Sequence, residues 1–287
     1  MRARDRADHP GATRKMFADY HIHTGLCPHA EGEPREYVER AIRLGMTEMG
    51  FADHLPFVGG WAPRYDLTDD WAMAPEELDD YVALIQGLAR EYAADVRILL
   101  GIEADFIPET LEDTAEVLAA YPFEYVIGSV HVVGDRFGFD HPEMEPRLAA
   151  YGLDRIYLES LDLSRQAAES GLFHILGHLD HAKKFVRRLD DEQAVAAAAS
   201  AALRAAAAAG MAIEINTSGL RKAVAEAFPG PALLAEAAAL GIPLVLGSDA
   251  HRPGHVGHAF ARAAELAREA GYTAVLRLST DAQEALT

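Results

Sequence analysis

The chain has 287 residues, 50% hydrophobic and 25% charged, an ordinary globular mix that excludes disorder or a fibrous fold for the whole. Lys and Arg number 26 against 45 Asp and Glu, a formal charge of −19. That argues against a general nucleic-acid binder, which needs cations to neutralise phosphates.

Residues 1–15 are polar, carry both signs and lack the apolar stretch of a secretory signal. They read as a disordered lead, with a single domain over residues 16–287. The single cysteine, Cys27, excludes an intramolecular disulfide and fits a cytoplasmic location. No uncharged apolar run reaches the length of a membrane span.

The first candidate strand is 17–22. A helix follows over 34–44, with Tyr37, Val38, Ala41, Ile42 and Leu44 on one face. The second strand, 48–52, leads into a long irregular stretch, 56–74. Leu78, Val82, Ile85, Leu88 and Tyr92 then mark a helix over 75–94. Strands at 97–102 and 125–130 precede a second irregular stretch, 134–146, and a strand at 173–176. Residues 190–209 are so rich in alanine that helix is the economical reading, with Gly210 as its stop. Strands at 211–215 and 244–246 alternate with helices at 231–240 and 258–270, which Gly241 and Gly271 end.

Seven strand-led units in a row predict an α/β fold with a parallel sheet and helices outside. No glycine-rich phosphate loop follows the first strand, so a dinucleotide-binding fold is disfavoured. A closed or nearly closed barrel fits the length, and an open doubly wound sheet is the alternative. Both irregular stretches follow strands, where a barrel keeps its active-site loops.

The 13 histidines are an excess, and their placement has a pattern. His21 and His23 sit two apart at a strand end, so both face one side. The next strands end in Asp53-His54, Glu103, His131, His178 with Asp180, and Asp249 with His251. The strand ending Glu214-Ile215-Asn216 is the exception. Neutral imidazoles and carboxylates are the ligands that borderline divalent metals prefer. So many imidazoles and carboxylates at one end of a sheet are too many for one ion and suggest two or three.

These motifs resemble the polymerase-and-histidinol-phosphatase (PHP) superfamily. Four hallmarks stand in order: His21-Ile22-His23, Asp53-His54, His131, and Ser248-Asp249-Ala250-His251. Finer stretches resemble its histidinol-phosphatase branch. They are Cys27-Pro28-His29-Ala30, Gly101-Ile102-Glu103-Ala104-Asp105-Phe106, Gly177-His178-Leu179-Asp180 and Asn216-Thr217-Ser218-Gly219-Leu220-Arg221. The resemblance spans residues 19–260.

It implies a distorted (β/α)7 TIM-like barrel holding three divalent metal ions: zinc, iron or manganese. His21, His23, Glu103 and Asp249 would hold the first. Glu103 would bridge to the second, completed by His131 and His178. His29, His54 and His251 would hold the third. The implied activity is hydrolysis of L-histidinol phosphate in histidine biosynthesis. Clustered divalent cations can clamp a phosphate monoester, cancel its charge and lower the pKa of water. Asp249 is the candidate proton relay, with Glu103 and His251 beside it at the reacting centre. A water on the third metal is its rival.

Lys184 and Arg221, just past strand ends, are expected to reach the phosphate. Lys183, Arg187, Arg188 and Lys222 are the neighbouring cations. Asp105 is expected to pair with the substrate amine, and Asp53 and Asp180 to orient ligating histidines. Phe57, Trp61 and Tyr65 read as a packed loop, with closure over an imidazole ring as the alternative. His141, His174, His181, His255 and His258 stand outside the ligand set, His174 as a core residue and His181 as a residue lining the pocket. Other readings are a PHP hydrolase of another small phosphomonoester or nucleotide, a metal-dependent amidohydrolase, and a polymerase proofreading module. Neither a nucleic-acid nor a membrane partner is expected.

Overall fold

The structure, a computed structural model, describes residues 16–61, 71–134, 136–139, 145–185 and 189–286. The expected lead over 1–15, Tyr65, His141, Arg187 and Arg188 lie outside the described residues.

Six parallel strands pair in chain order: β1 (Glu48–Phe51), β2 (Arg97–Asp105), β3 (Tyr125–Ser129), β4 (Ile175–Leu176), β5 (Ala212–Asn216) and β6 (Leu244–Gly247). Met49 faces Ile98, Glu103 faces Ile127, and Ile215 faces Leu246 across the ladders. The seventh expected strand, 17–22, is not a regular strand. It forms two isolated bridges, Asp19 to Met49 and Ile22 to Ala250. Its backbone nonetheless bonds both ways. Gly50 and Ala52 donate to Asp19 and Ile22 on one side, and Tyr20 and His23 donate to Leu246 and Ala250 on the other. This segment therefore closes the sheet into a distorted (β/α)7 TIM-like barrel.

Inside, Tyr20, Leu99, Tyr125, Ile127, Ile175, Ala212 and Val245 form a buried plug. Tyr125 donates to the Tyr20 carbonyl at 2.7 Å. Its ring passes so close to β2 that a Cβ at Gly101 would sit 2.2 Å from it, so only glycine fits there. An antiparallel hairpin, β7 (Ala274–Arg277) and β8 (Ala282–Ala285), closes the end of the barrel where the strands begin. Leu276 and Leu278 pack on the plug, and Ser279 reaches Glu48, the first residue of β1.

The α-helices are α1 (Pro34–Arg43), α2 (Leu78–Glu91), α3 (Leu111–Ala120), α4 (Glu145–Tyr151), α5 (Leu153–Ser170), α6 (Glu192–Ala209), α7 (Pro231–Ala239) and α8 (Phe260–Ala270). Tyr37, Ile85, Ile156, Leu161, Leu203 and Leu234 are among the buried side chains they contribute to the main core. Three of these helices, α3, α4 and α5, are absent from the sequence-based expectation. Helix α5 buries Ser160 and Ser164 among its apolar residues, which blurs the stripe that periodicity detects. The hydroxyls are satisfied within the helix, Ser164 donating to the Ser160 carbonyl at 2.8 Å. His174 is corrected from core to exposed, although its Nδ1 accepts from the Val126 amide.

Candidate metal centre

The barrel mouth gathers the polar side chains that follow the strands. Glu103 points from β2 into their midst and is buried. Its Oε2 lies 3.2 Å from His21 Nε2, 3.6 Å from His23 Nε2 and 3.0 Å from His54 Nδ1. Its Oε1 lies 3.1 Å from His178 Nε2 and 3.7 Å from His131 Nε2. Ser129 donates to that same Oε1 at 2.6 Å and fixes the carboxylate plane. One carboxylate thus divides its two oxygens between two groups of imidazoles. Burial alone would raise its carboxyl, yet His21, His54 and His178 hold it well below the ordinary range.

Asp249 stands across from Glu103, with Oδ1 at 3.5 Å from His23 Nε2 and 3.3 Å from His251 Nδ1. Its backbone is left-handed, φ 53°, a conformation that Asp tolerates better than most residues. Burial opposes ionisation there, but His21, His23 and His251 keep its carboxyl well below the usual carboxylate range. The rings of His29, His54 and His251 meet at the rim, His29 stacked on His251 at 4.5 Å. His29 itself is exposed.

Nε2 of His21, His23 and His251, Nδ1 of His54 and Oε2 of Glu103 are buried and make no hydrogen bond of good geometry. Buried polar atoms are ordinarily paired. A set of nitrogen and carboxylate lone pairs turned toward one another fits divalent cations. Three-residue groups of suitable spacing include His21–His23–Glu103, His21–His178–Asp249 and His23–His54–His251.

The far side of several imidazoles is also held. His21 Nδ1 meets Glu214 Oε2 at 2.8 Å, His131 Nδ1 meets Asp105 Oδ1 at 3.1 Å, and His23 Nδ1 meets Cys27 Sγ at 3.5 Å. Such contacts orient metal-binding histidines and select their tautomer. Glu214, set aside by the strand-end pattern, is therefore part of the centre. It also accepts from the His178 amide and from Asn216 Nδ2.

Three expectations change. Asp105 does not face outward for a substrate amine: it accepts from both the amide and the ring of His131. The β2–β3 register sets it beside Ser129, two residues before His131. Asp53 accepts from the amide and hydroxyl of Thr24 and so fixes the turn after His23, and among the described residues no histidine ring hydrogen-bonds to it. Asp180 is paired with Lys183 and with the Gly230 amide.

Among the cations, Lys183 is committed to Asp180 and Glu226. Arg221 Nη2 donates to the carbonyls of Ser248 and Asp249, at 2.9 and 3.0 Å, while its buried Nη1 has no acceptor. Lys184 packs over Phe139 and Phe185, and burial followed by Lys222 pushes its ammonium well below the usual lysine range. Phe57 packs on Trp61 and Trp71, which supports the packed-loop reading of that segment. His181 is buried against His178 and His131 and lines this side of the centre.

Residues 19–218 match the family model of the PHP domain. A Deinococcus radiodurans protein named probable histidinol-phosphatase is 44% identical over 256 residues, 89% of this chain and 94% of its own length. A histidinol-phosphatase of Bacillus subtilis is 31% identical over 258 residues, 84% of this chain and 96% of its own. A crystal structure of histidinol phosphate phosphatase from Lactococcus lactis, complexed with zinc, L-histidinol and phosphate, superposes with a TM-score of 0.70. It is 24% identical and covers 89% of this chain and 94% of its own. At that identity the superposition speaks for the fold.

Proposed function

The chain belongs to the PHP domain family, and on that footing we propose that it is a histidinol-phosphatase, a metal-dependent hydrolase of a phosphomonoester. The reaction converts L-histidinol phosphate to L-histidinol and phosphate. The observation that carries the reading is Glu103, one buried carboxylate with its two oxygens set between two groups of histidines. Extensive identity to relatives named for this activity supports the substrate.

His21, His23, Glu103 and Asp249 would hold one divalent ion, and Glu103, His131 and His178 a second. His29, His54 and His251 would hold a third. Such ions supply charge neutralisation for the phosphate dianion and lower the pKa of water toward neutrality. Zinc, iron and manganese all suit this donor set. The chain's own residues do the rest. Glu214, Asp105 and Cys27 hold the ligating rings in place. Asp249 is the residue assigned to take up a proton and return it to the departing alkoxide. Arg221 Nη1 and the Lys184 ammonium bind phosphate oxygens.

No helix among the described residues is long and apolar enough to cross a membrane. A lone buried thiol suits the reducing cytoplasm, the proposed location. The acidic chain supports a small phosphorylated substrate over a polymeric one. The test is phosphate release by the metal-loaded protein from histidinol phosphate and from p-nitrophenyl phosphate. A kcat/KM for histidinol phosphate no higher than for the generic ester rejects the substrate.

A further inference from the structure

Three histidines of the centre are held from behind by a side chain: His21 by Glu214, His131 by Asp105 and His23 by Cys27. His178 is placed differently. Its amide donates to Glu214, and its Nε2 lies 3.1 Å from Glu103 Oε1. Nδ1 of an imidazole points away from Nε2, so here it points away from Glu103. Among the described residues no protein group hydrogen-bonds to His178 Nδ1.

His178 lines a cavity of about 10 Å³, room for one water. Ser160 and Ser164 of α5 line it too, with His181, and all four residues are buried. Val130 and Phe139 supply apolar wall. The two serines stand four residues apart, on one face of the helix. Each spends its proton within α5, Ser160 on the Tyr157 carbonyl at 3.1 Å and Ser164 on the Ser160 carbonyl at 2.8 Å. Their oxygens keep lone pairs, so toward the cavity they accept. Alanine suits a buried helical position better than serine. A pair of hydroxyls facing one small cavity therefore points to a guest that donates twice.

We propose that a single buried water in this cavity donates to Ser160 Oγ and Ser164 Oγ and accepts from the Nδ1–H of His178. The two serines are then positioning residues for His178. The count closes: two water protons meet two hydroxyl oxygens, and one ring N–H meets a water lone pair. The tautomer is fixed with the proton on Nδ1, which leaves the Nε2 lone pair turned toward Glu103 and the shared centre. The consequence for metal rests on the proposed metal centre, whereas the water in the cavity does not.

A crystal structure of the zinc-loaded full chain should show one water within hydrogen-bonding distance of His178 Nδ1 and of both hydroxyl oxygens. A dry cavity, or a water that leaves Nδ1 unmet, overturns the proposal. In solution, zinc affinity is measured by competition with a chelator, beside the Tm of the metal-free chain. Ser160→Ala/Ser164→Ala removes both acceptors and should weaken zinc about tenfold, with each single variant in between. A lowered metal-free Tm with zinc affinity within about twofold of wild type would mark a merely structural pair and overturn the proposal. Should the double variant fail to fold, Ser164→Ala and the crystal structure decide. A wild-type chain that takes up no zinc would reject the metal centre instead, and the density in a crystal of the metal-free chain would then decide the water by the same criterion.

Discussion

Glu214 Oε2 lies 2.8 Å from His21 Nδ1, and both side chains are 1% exposed. The contact crosses the barrel seam, from β5 to the opening segment of the chain. It leaves His21 Nε2 to face Glu103. A carboxylate behind a ligating imidazole raises its basicity and locks its orientation. Glu214→Gln should therefore lower metal affinity by about 10–100-fold with the fold retained. Metal titration against a competing chelator checks this, and wild-type affinity in Glu214→Gln would remove Glu214 from the centre.

Asp105 meets the amide and ring of His131 through Oδ1, which favours a role in holding that ring over a contact with the substrate. Asp105→Asn should lose metal and lower kcat, because it weakens the acceptor that holds the His131 ring. A variant with full metal content and a raised KM alone would restore Asp105 as an amine partner.

Arg221 has two attachments. Its Nη2 braces the strained Asp249 backbone, and its Nη1 is available to an anion. Arg221→Ala should raise KM by about tenfold and also reduce metal content, since hydrogen bonds from a charged donor are worth about 1.5–3 kcal/mol. Kinetics and metal analysis on the same preparation separate the two effects. A pure KM effect would show that the loop carrying Asp249 does not need the brace.

Removal of metal should destabilise the chain. An ion at a thousandfold excess over its dissociation constant contributes about 4 kcal/mol. Chelation should thus lower Tm by on the order of 10 °C for a domain of this size. A melting temperature indifferent to chelator and to added zinc or manganese would count against a metal centre.

Asp19 accepts from the amide and hydroxyl of Ser248 and from the amides of Gly257 and His21. Burial pushes its carboxyl up to about 6. The unfolded value is about 3.9. The folded state therefore takes up a proton between those values. The contribution of this group to stability falls as pH rises from about 4 to about 6. Asp19→Asn removes that titration, so the stability difference between wild type and variant should shrink over this interval in urea unfolding. A constant difference would show that Asp19 is not the group titrating.

Much of the centre was legible because strand periodicity and metal chemistry coincide. His21 and His23 share a face, and six strands end in acceptable ligands. What stayed hidden depends on which strands become neighbours. Glu214 meets His21 only because the chain's first segment lies beside its last barrel strand. Asp105 shares a strand face with Glu103, as expected, but the neighbouring strand ends at its side and supplies His131. The same limit applies to α5, where Ser160 and Ser164 occupy buried positions that a search for apolar residues passes over. Cys27 Sγ, which meets the ring of His23, gives no signal in sequence beyond its nearness to a ligand.

The opening segment enters the barrel through two isolated bridges, the least regular joint of the wall. Asp19 and Ser248, which meet there, are 229 positions apart. Closing so long a loop costs chain entropy that adjacent βα units do not face. Yet His21 and His23 lie on one lip of this joint, and Asp249 and His251 on the other. An ion shared between them would be a cross-link from one end of the fold to the other. Metal supply would then govern more than chemistry: it would set how firmly the molecule is latched shut, with the apo chain expected to open first along 19–23.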